Sequence, residues 1–330
     1  MAVNIRDIAR QTGLSVGTVS RALKNQEGLT ETTRVRVSEA AHALGYDFSR
    51  LKQARIKRVV FLLHRQHESE SASHFFLPVL QGAEAACRAA RIALSLVTSS
   101  PSEPVLEQIR LHQADAIVCA GYFELEILTA LRHTNKPMVL LDAIESGFDS
   151  VTPDHHLGGW LATRHLIQSG RQRIAMISGS LAHFSIAQRA RGFRQALFEN
   201  KMLADPALEI CLDNVQALTI SVAAAMDTLM HLPKPPDAVF CYNDSTAIAV
   251  LNYCQTHGIK VPHQLAIIGF DDITAAAQAT PPLSSIGIDK HALGTAGIEL
   301  LLNQSMQKSM QATKNIHPVT LIVRESSCDD

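Results

Sequence analysis

No run in this 330-residue sequence is apolar for long enough to span a membrane, and no positively charged leader precedes an apolar segment. These absences argue against an integral membrane protein and against export through a signal peptide, so a cytoplasmic protein is expected. Cysteine is sparse and scattered, at positions 87, 119, 211, 241, 254 and 328, and no CxxC occurs. Cys241 and Cys254 flank a helix-like segment, but a metal site needs more soft ligands at closer spacing. Reduced structural thiols in mostly apolar surroundings are the expectation, with no metal and no cofactor. No nucleophile–base pair or phosphate-cradling loop has the right spacing either. The Gly158-Gly159 pair is placed at a crossing between subdomains rather than after a strand, and so is no nucleotide fingerprint.

What is present is a globular composition, 46% hydrophobic and 18% charged, in a chain long enough for two or three domains. Charge is unevenly spread. Residues 1–58 carry 11 basic against 5 acidic residues, whereas the remainder carries 19 against 26. The basic segment also has a distinctive pattern. Ile5, Ile8 and Ala9 recur at helix spacing, Gly13 breaks the run, and Ser15 can cap a second helix over 16–23. Only Thr12-Gly13-Leu14 separates the two, the short glycine-containing turn of a helix-turn-helix. Thr30 can cap a third helix whose apolar side comprises Val35, Val37, Ala40, Ala41 and Leu44. A small trihelical cap with a solvated basic face is the bland alternative. DNA binding accounts for the charge and the turn geometry falling on one segment.

The stretch NIRDIARQTGLSVGTVSRALKN…GLTETTRVRVSEAAHALGY strongly resembles the headpiece of the lactose/galactose repressor family of bacterial transcriptional regulators. The resemblance runs almost from Asn4 to Cys328. It implies that Val16 and Gly17 occupy the main base-reading positions, with Arg21 one turn later. Thr18 and Ser20 would hold phosphates, Val19 would pack inward, and Asn25 would also contact DNA. Gly17 departs from a bulky or polar reader and shifts the reading toward Arg21, whose guanidinium can grip a guanine edge. The linker departs as well. Phe48 stands at the family's proline position and Arg55 at its minor-groove leucine, and the segment is about four residues short. Leu51 lies one turn earlier as a substitute wedge, while an arginine at 55 could enter a narrow groove without wedging a base step open.

From residue 59 onward, nearly continuous apolar strands alternate with amphipathic helices. Strands are expected over 58–63, 92–98, 116–120, 138–141, 173–178, 238–242, 265–270 and 320–323, with helices over 77–90, 160–169, 187–199, 222–231 and 245–258. This is the pattern of parallel sheets covered on both faces, in two adjoining α/β subdomains. Ligands in such sheets bind beyond the carboxyl ends of strands. That rule selects residues 64–76, 142–145, 179–189, 243–244 and 271–272. The run 67–73 is read there as an unusually polar loop.

The resemblance implies an α/β fold: a helix-turn-helix headpiece plus a two-subdomain, periplasmic-binding-protein-like sensor core with parallel sheets. Its implied limits are 1–46 for the headpiece and 47–58 for the short hinge. The N-subdomain would take 59–157 with 288–317, and the C-subdomain 158–287 with 318–330. IAQRARGFRQAL places Arg189, AVFCYNDSTAIAVL places Asn243 beside Asp244, and LAIIGFDD places Asp271 on the family's effector-binding positions. A structural ion pair between Arg189 and Asp271 is the alternative to effector contact. Phe75 either stacks on the effector or packs in the core, with Phe76 beneath it. Glu145 either faces a sugar or is a solvated loop carboxylate, and His183 lies in the loop before Arg189. The implied partners are a small-molecule effector (a sugar, sugar acid or sugar phosphate), a second copy of the chain, and double-stranded DNA with a roughly palindromic operator. The dimer face would include 77–90 and the region around Trp160. The reading is a repressor of carbohydrate genes. Its alternative is a corepressor-dependent or activating regulator that responds to a nucleobase or another metabolite. A sugar-acting enzyme using Asp271, Asp272 or Glu145 as acid and base, and a transport-type binding protein, are the weaker classes.

Overall fold

A computed structural model describes residues 3–23, 28–46, 56–68, 70–100, 102–213, 216–304 and 312–328. The chain divides into two units, residues 1–57 and 58–330.

In the first unit, Asn4 starts α1 (Ile5–Thr12) with a capping box. Its side chain accepts from the Arg6 and Asp7 amides, and the Asp7 carboxylate accepts from the Asn4 amide at 2.9 Å. Gly13, at φ 67°, ends the helix in the left-handed conformation that glycine adopts without a Cβ clash. Ser15 Oγ then accepts from the Thr18 amide at 3.0 Å to open α2 (Val16–Leu23). Thr30 opens α3 (Glu31–Ala43) in the same way. Ile8, Val19, Val37 and Ala41 meet in a core with no exposure. Arg36 ties the turn to α3 through the Thr12 carbonyl. Val35, expected to face inward, is instead 46% exposed. It lies two positions from Val37, about 200° round the helix, so both cannot face the same core.

The second unit holds two parallel sheets. One has six strands in the order β11-β5-β4-β3-β1-β2: β1 (Arg58–His64), β2 (Ala93–Ser99), β3 (Ala116–Ala120), β4 (Met138–Leu141), β5 (Asp149–Pro153) and β11 (Lys314–His317). Its helices are α4 (Glu70–Ala89), α5 (Val105–Leu111), α6 (Leu125–Arg132) and α12 (Lys290–Gln304). The other sheet runs β7-β6-β8-β9: β6 (Ile174–Ser178), β7 (Glu209–Cys211), β8 (Ala238–Cys241) and β9 (Ala266–Ile268). Around it lie α7 (His155–Gln168), α8 (Phe184–Glu199), α9 (Leu218–Met230), α10 (Asp244–His257) and α11 (Thr274–Gln278). A short antiparallel pair, β10 (Ser285–Ile288) with β12 (Val319–Ile322), was not anticipated among the parallel sheets. The chain leaves one sheet for the other after β5, after β10 and after β11, and the two lobes face each other across a cleft.

Several boundaries differ from the sequence expectations. Residues 65–68 form a 3-10 turn and α4 begins at Glu70, so the run read as a polar loop is largely helical and carries Phe75 and Phe76 on α4. Pro78 sits inside that helix rather than breaking it. Gly158 and Gly159 are not in a crossing segment but inside α7, where they admit close neighbours. A Cβ at 159 would stand 2.2 Å from the Arg189 carbonyl oxygen, and one at Gly192 on α8 would stand 2.1 Å from that of His156. The two helices therefore pack backbone against backbone. Cys211 and Cys328 are exposed, unlike the other four cysteines.

Candidate nucleic-acid interface and ligand cleft

In the first unit, α2 turns Val16, Gly17 and Arg21 outward, all exposed, and buries Val19 completely. Thr18 and Ser20 are half-buried, and Thr18 Oγ1 lies 2.8 Å from Ser15 Oγ within the cap. Residues 16, 17, 20 and 21 thus share one side of a short helix that has a basic residue in its last turn. A Cβ on Gly17 would meet only Ser15 Oγ, at 3.7 Å, so the surface there is open. Asn25, Leu51, Arg55 and the whole of 47–55 lie outside the described residues.

In the second unit, strand ends from both lobes converge on a cleft of about 540 Å³. Asp142 follows β4, Gly179 and Ser180 follow β6, Tyr242 and Asn243 follow β8, and Asp271 lies beyond β9. Such ends collect ligand-binding groups because the loops there carry the polar residues that apolar strands cannot. Phe75 and Phe76 line the same cleft from α4, edge to face with ring centroids 5.0 Å apart. Both are 7% exposed, so each packs in the core while lining the cleft.

Arg189 is the centre of the site. Its guanidinium lies over the Phe270 ring at 3.7 Å, donates from Nε to His155 Nδ1 at 3.3 Å and from Nη2 to Asp271 Oδ1 at 3.2 Å, and also bonds the Tyr242 carbonyl from Nη1. Because arginine only donates, His155 Nδ1 is an acceptor and its proton sits on Nε2, which donates to Asp142 Oδ1 at 2.8 Å. A continuous chain therefore runs from Asp142, on the six-stranded lobe, through buried His155 and Arg189 to Asp271. Burial holds the His155 pKa below the usual histidine value even though Asp142 pulls it up. Burial pushes the Asp271 carboxyl up to about 6, against the pull of Arg189 and Lys290. Asp271 also adopts φ 105°, a strained conformation for a non-glycine residue.

The cleft thus brings together Phe75, Arg189, Asn243 and Asp271. It does not include Glu145, which borders a smaller side pocket of about 120 Å³ and accepts from the Ser146 amide through its own carboxylate. Asn243 Oδ1 accepts from the Thr246 amide at 2.9 Å, capping α10, so it enters the cleft already oriented. His183 touches both pockets and lies 4.8 Å from the Tyr122 ring of the opposite lobe. Asp142 opens the 142–145 stretch selected from the sequence, whereas His155, Asp213 and Tyr242 were not singled out. Tyr242 stands beside Asn243 directly after an apolar strand, so position alone could have found it. His155 gives no such signal.

Residues 4–48 match the model for bacterial regulatory proteins of the lacI family, and residues 163–327 match the periplasmic binding protein-like domain. The HTH-type transcriptional repressor PurR of Vibrio atlanticus (strain LGP32) is 31% identical over 316 residues, 92% of each chain. The chain belongs to the LacI/PurR family of bacterial transcriptional regulators.

Another relative, PurR of Vibrio parahaemolyticus serotype O3:K6 (strain RIMD 2210633), is 32% identical, again over 92% of each chain. Among solved structures, the transcriptional regulator CelR in complex with cellobiose is 26% identical with a TM-score of 0.73, covering 98% of this chain and 99% of that one. The lac repressor dimer bound to operator and the anti-inducer ONPF shares the fold at 21% identity, with a TM-score of 0.70 over the full length of both chains. LacI/PurR members are sequence-specific DNA-binding regulators and not enzymes. Among the described residues, no helix is long and apolar enough to cross a membrane.

Proposed function

We propose that this LacI/PurR regulator is a homodimeric transcriptional repressor whose DNA affinity is set by a small molecule bound between its two lobes. The observation that carries this is the Arg189–Asp271 pair at the floor of a 540 Å³ cleft, bonded through His155 to Asp142 on the opposite lobe. A ligand there touches both lobes at once, so it stabilises one lobe arrangement over another. Its power to switch DNA binding equals that difference in affinity. Arg21 would read a base edge, with Val16 and Gly17 beside it and Thr18 and Ser20 on phosphates. Asn25 and Arg55 would add further DNA contacts, and two headpieces would read a roughly palindromic site. Phe75, Arg189, Asn243 and Asp271 would hold the ligand, with Glu145 at the edge.

Two ligand responses fit this cleft. In the first, a nucleobase or another small metabolite strengthens repression. Similarity over 92% of the chain to repressors that share the name PurR favours it. In the second, a carbohydrate releases the DNA, favoured by the cellobiose complex of the CelR relative. The test is to select operator sequences from a random pool, then titrate DNA with and without nucleobases and sugars. A ligand that tightens binding supports the first response, and one that weakens it supports the second. DNA affinity indifferent to every ligand that binds the cleft would sink the switch.

A further inference from the structure

The charges lining the cleft narrow the ligand beyond the proposed function, on which this step rests. Among the described lining residues Arg189 is the one arginine or lysine, against the carboxylates of Asp142, Asp213 and Asp271. Three of the five Arg189 N–H groups are committed, to His155, Tyr242 and Asp271, and one face is covered by Phe270. A carboxylate or phosphate on the two that remain, one on each terminal nitrogen, would share the guanidinium with Asp271 and face its charge. Lys290 brings no free donor from behind the floor, because its ammonium bonds the carbonyls of Asp271, Asp272 and Ile288.

We infer that the cleft takes an uncharged ligand rich in hydroxyl or N–H donors and excludes the acid and phosphate forms of the same molecule. Carboxylates only accept, so a ligand of hydroxyls or amino groups satisfies them, whereas an anion leaves them facing like charge. Of the sugar, sugar acid and sugar phosphate read from the sequence, only the first remains. An amino-bearing nucleobase shares its chemistry. Repulsion from two carboxylates about 6 Å away, at an effective dielectric of about 40 for a cleft open to water, amounts to about tenfold each, on the order of a hundredfold in affinity together.

The experiment uses matched pairs on the full-length protein: cellobiose against cellobionate, glucose against gluconate and glucose 6-phosphate, adenine and adenosine against adenosine monophosphate. Thermal stabilisation and calorimetric titration report binding. The expected result is a neutral member that binds, with its charged partner weaker by about a hundredfold. In Asp142→Asn, which keeps an oxygen for the His155 proton, that ratio should narrow about tenfold. An acid or phosphate that binds as tightly as its neutral partner overturns the inference, as does a ratio unmoved by Asp142→Asn, which would assign the discrimination to shape. A neutral ligand that binds without altering DNA affinity defeats the switch alone, and no binding by any compound defeats both.

Discussion

Replacing Gly159 with alanine tests how tightly the cleft arginine is mounted. Helix propensity alone makes this change favourable, by about 1 kcal/mol for an interior position. Packing opposes it. The new Cβ would lie 2.2 Å from the Arg189 carbonyl oxygen and 2.9 Å from that residue's carbonyl carbon and Cα. Those are backbone atoms and cannot rotate aside, so α8 must retreat by on the order of 1 Å to reach ordinary contact distance. Overpacking in a well-filled interior costs typically 1–3 kcal/mol, and a collision with a helix backbone belongs at or beyond the upper end. The net expectation is a loss of about 2 kcal/mol. For a unit of this size that lowers the melting temperature by roughly 4–8 °C. The retreat also stretches the 3.3 Å bond between His155, on α7, and Arg189, on α8. Calorimetry of the variant beside the parent reads the shift. A melting temperature equal to or above that of the parent for Gly159→Ala would refute the argument.

Arg21→Ala should weaken binding to the selected operator by about 1–3 kcal/mol and non-specific binding far less, measured by titration against operator and random DNA. Equal losses would reduce Arg21 to a phosphate contact. Asp271→Asn should leave the folded protein and its DNA affinity without ligand intact while diminishing the ligand response. A variant that melts early would show instead that the pair with Arg189 is chiefly structural. Burial raises the Asp244 carboxyl to about 8, helped by the charge of Asp271, and raises Asp271 to about 6, both from 3.8. At these two sites the folded protein binds more protons than the unfolded chain, so their contribution to stability falls as the pH rises from about 4 to about 8, while the lowered His155 contributes the opposite slope below the usual histidine pKa. Asp244→Asn should flatten the slope seen in denaturant titrations at several pH values, and an unchanged slope would show that Asp244 is ionised in the folded state.

The two-lobed α/β plan was legible because its central strands are apolar end to end. The stretches expected at 116–120 and 138–141 coincide with β3 and β4, both buried throughout. Edge and accessory strands gave weaker signals. The β5 strand contains Asp149 and Pro153, β7 has only three residues, and three of the four residues of β11 are exposed. Glycines hid part of the helical layer. Gly158 and Gly159 suggested a connection, yet they are the contact surface of α7. In the cleft, Arg189, Asn243 and Asp271 carried recognisable local patterns. The link through His155 did not, because its partners Asp142 and Arg189 stand 13 and 34 residues away in the chain. Glu145 was chosen over Asp142 from the same short stretch. Asp142 adopts φ 59°, and periodicity cannot foresee how such a turn divides neighbouring side chains between pockets.

The pairing of α4 with α12 has a consequence for how the chain acquires its shape during synthesis. Gly82 and Gly294 seat these helices against each other's backbone, and β11 completes the edge beside β5. The first lobe to leave the ribosome thus lacks a covering helix and an edge strand until the entire second lobe has been made. Its exposed α4 face and unpaired β5 edge are surfaces prone to premature association. The second lobe also takes in residues near 326, but its four-stranded sheet is contiguous in sequence from Ile174 to Ile268. The sheet begun second is therefore complete before the sheet begun first. Nascent chains halted before residue 290 should carry a second lobe more resistant to protease than the first, and equal digestion of the two would refute this order.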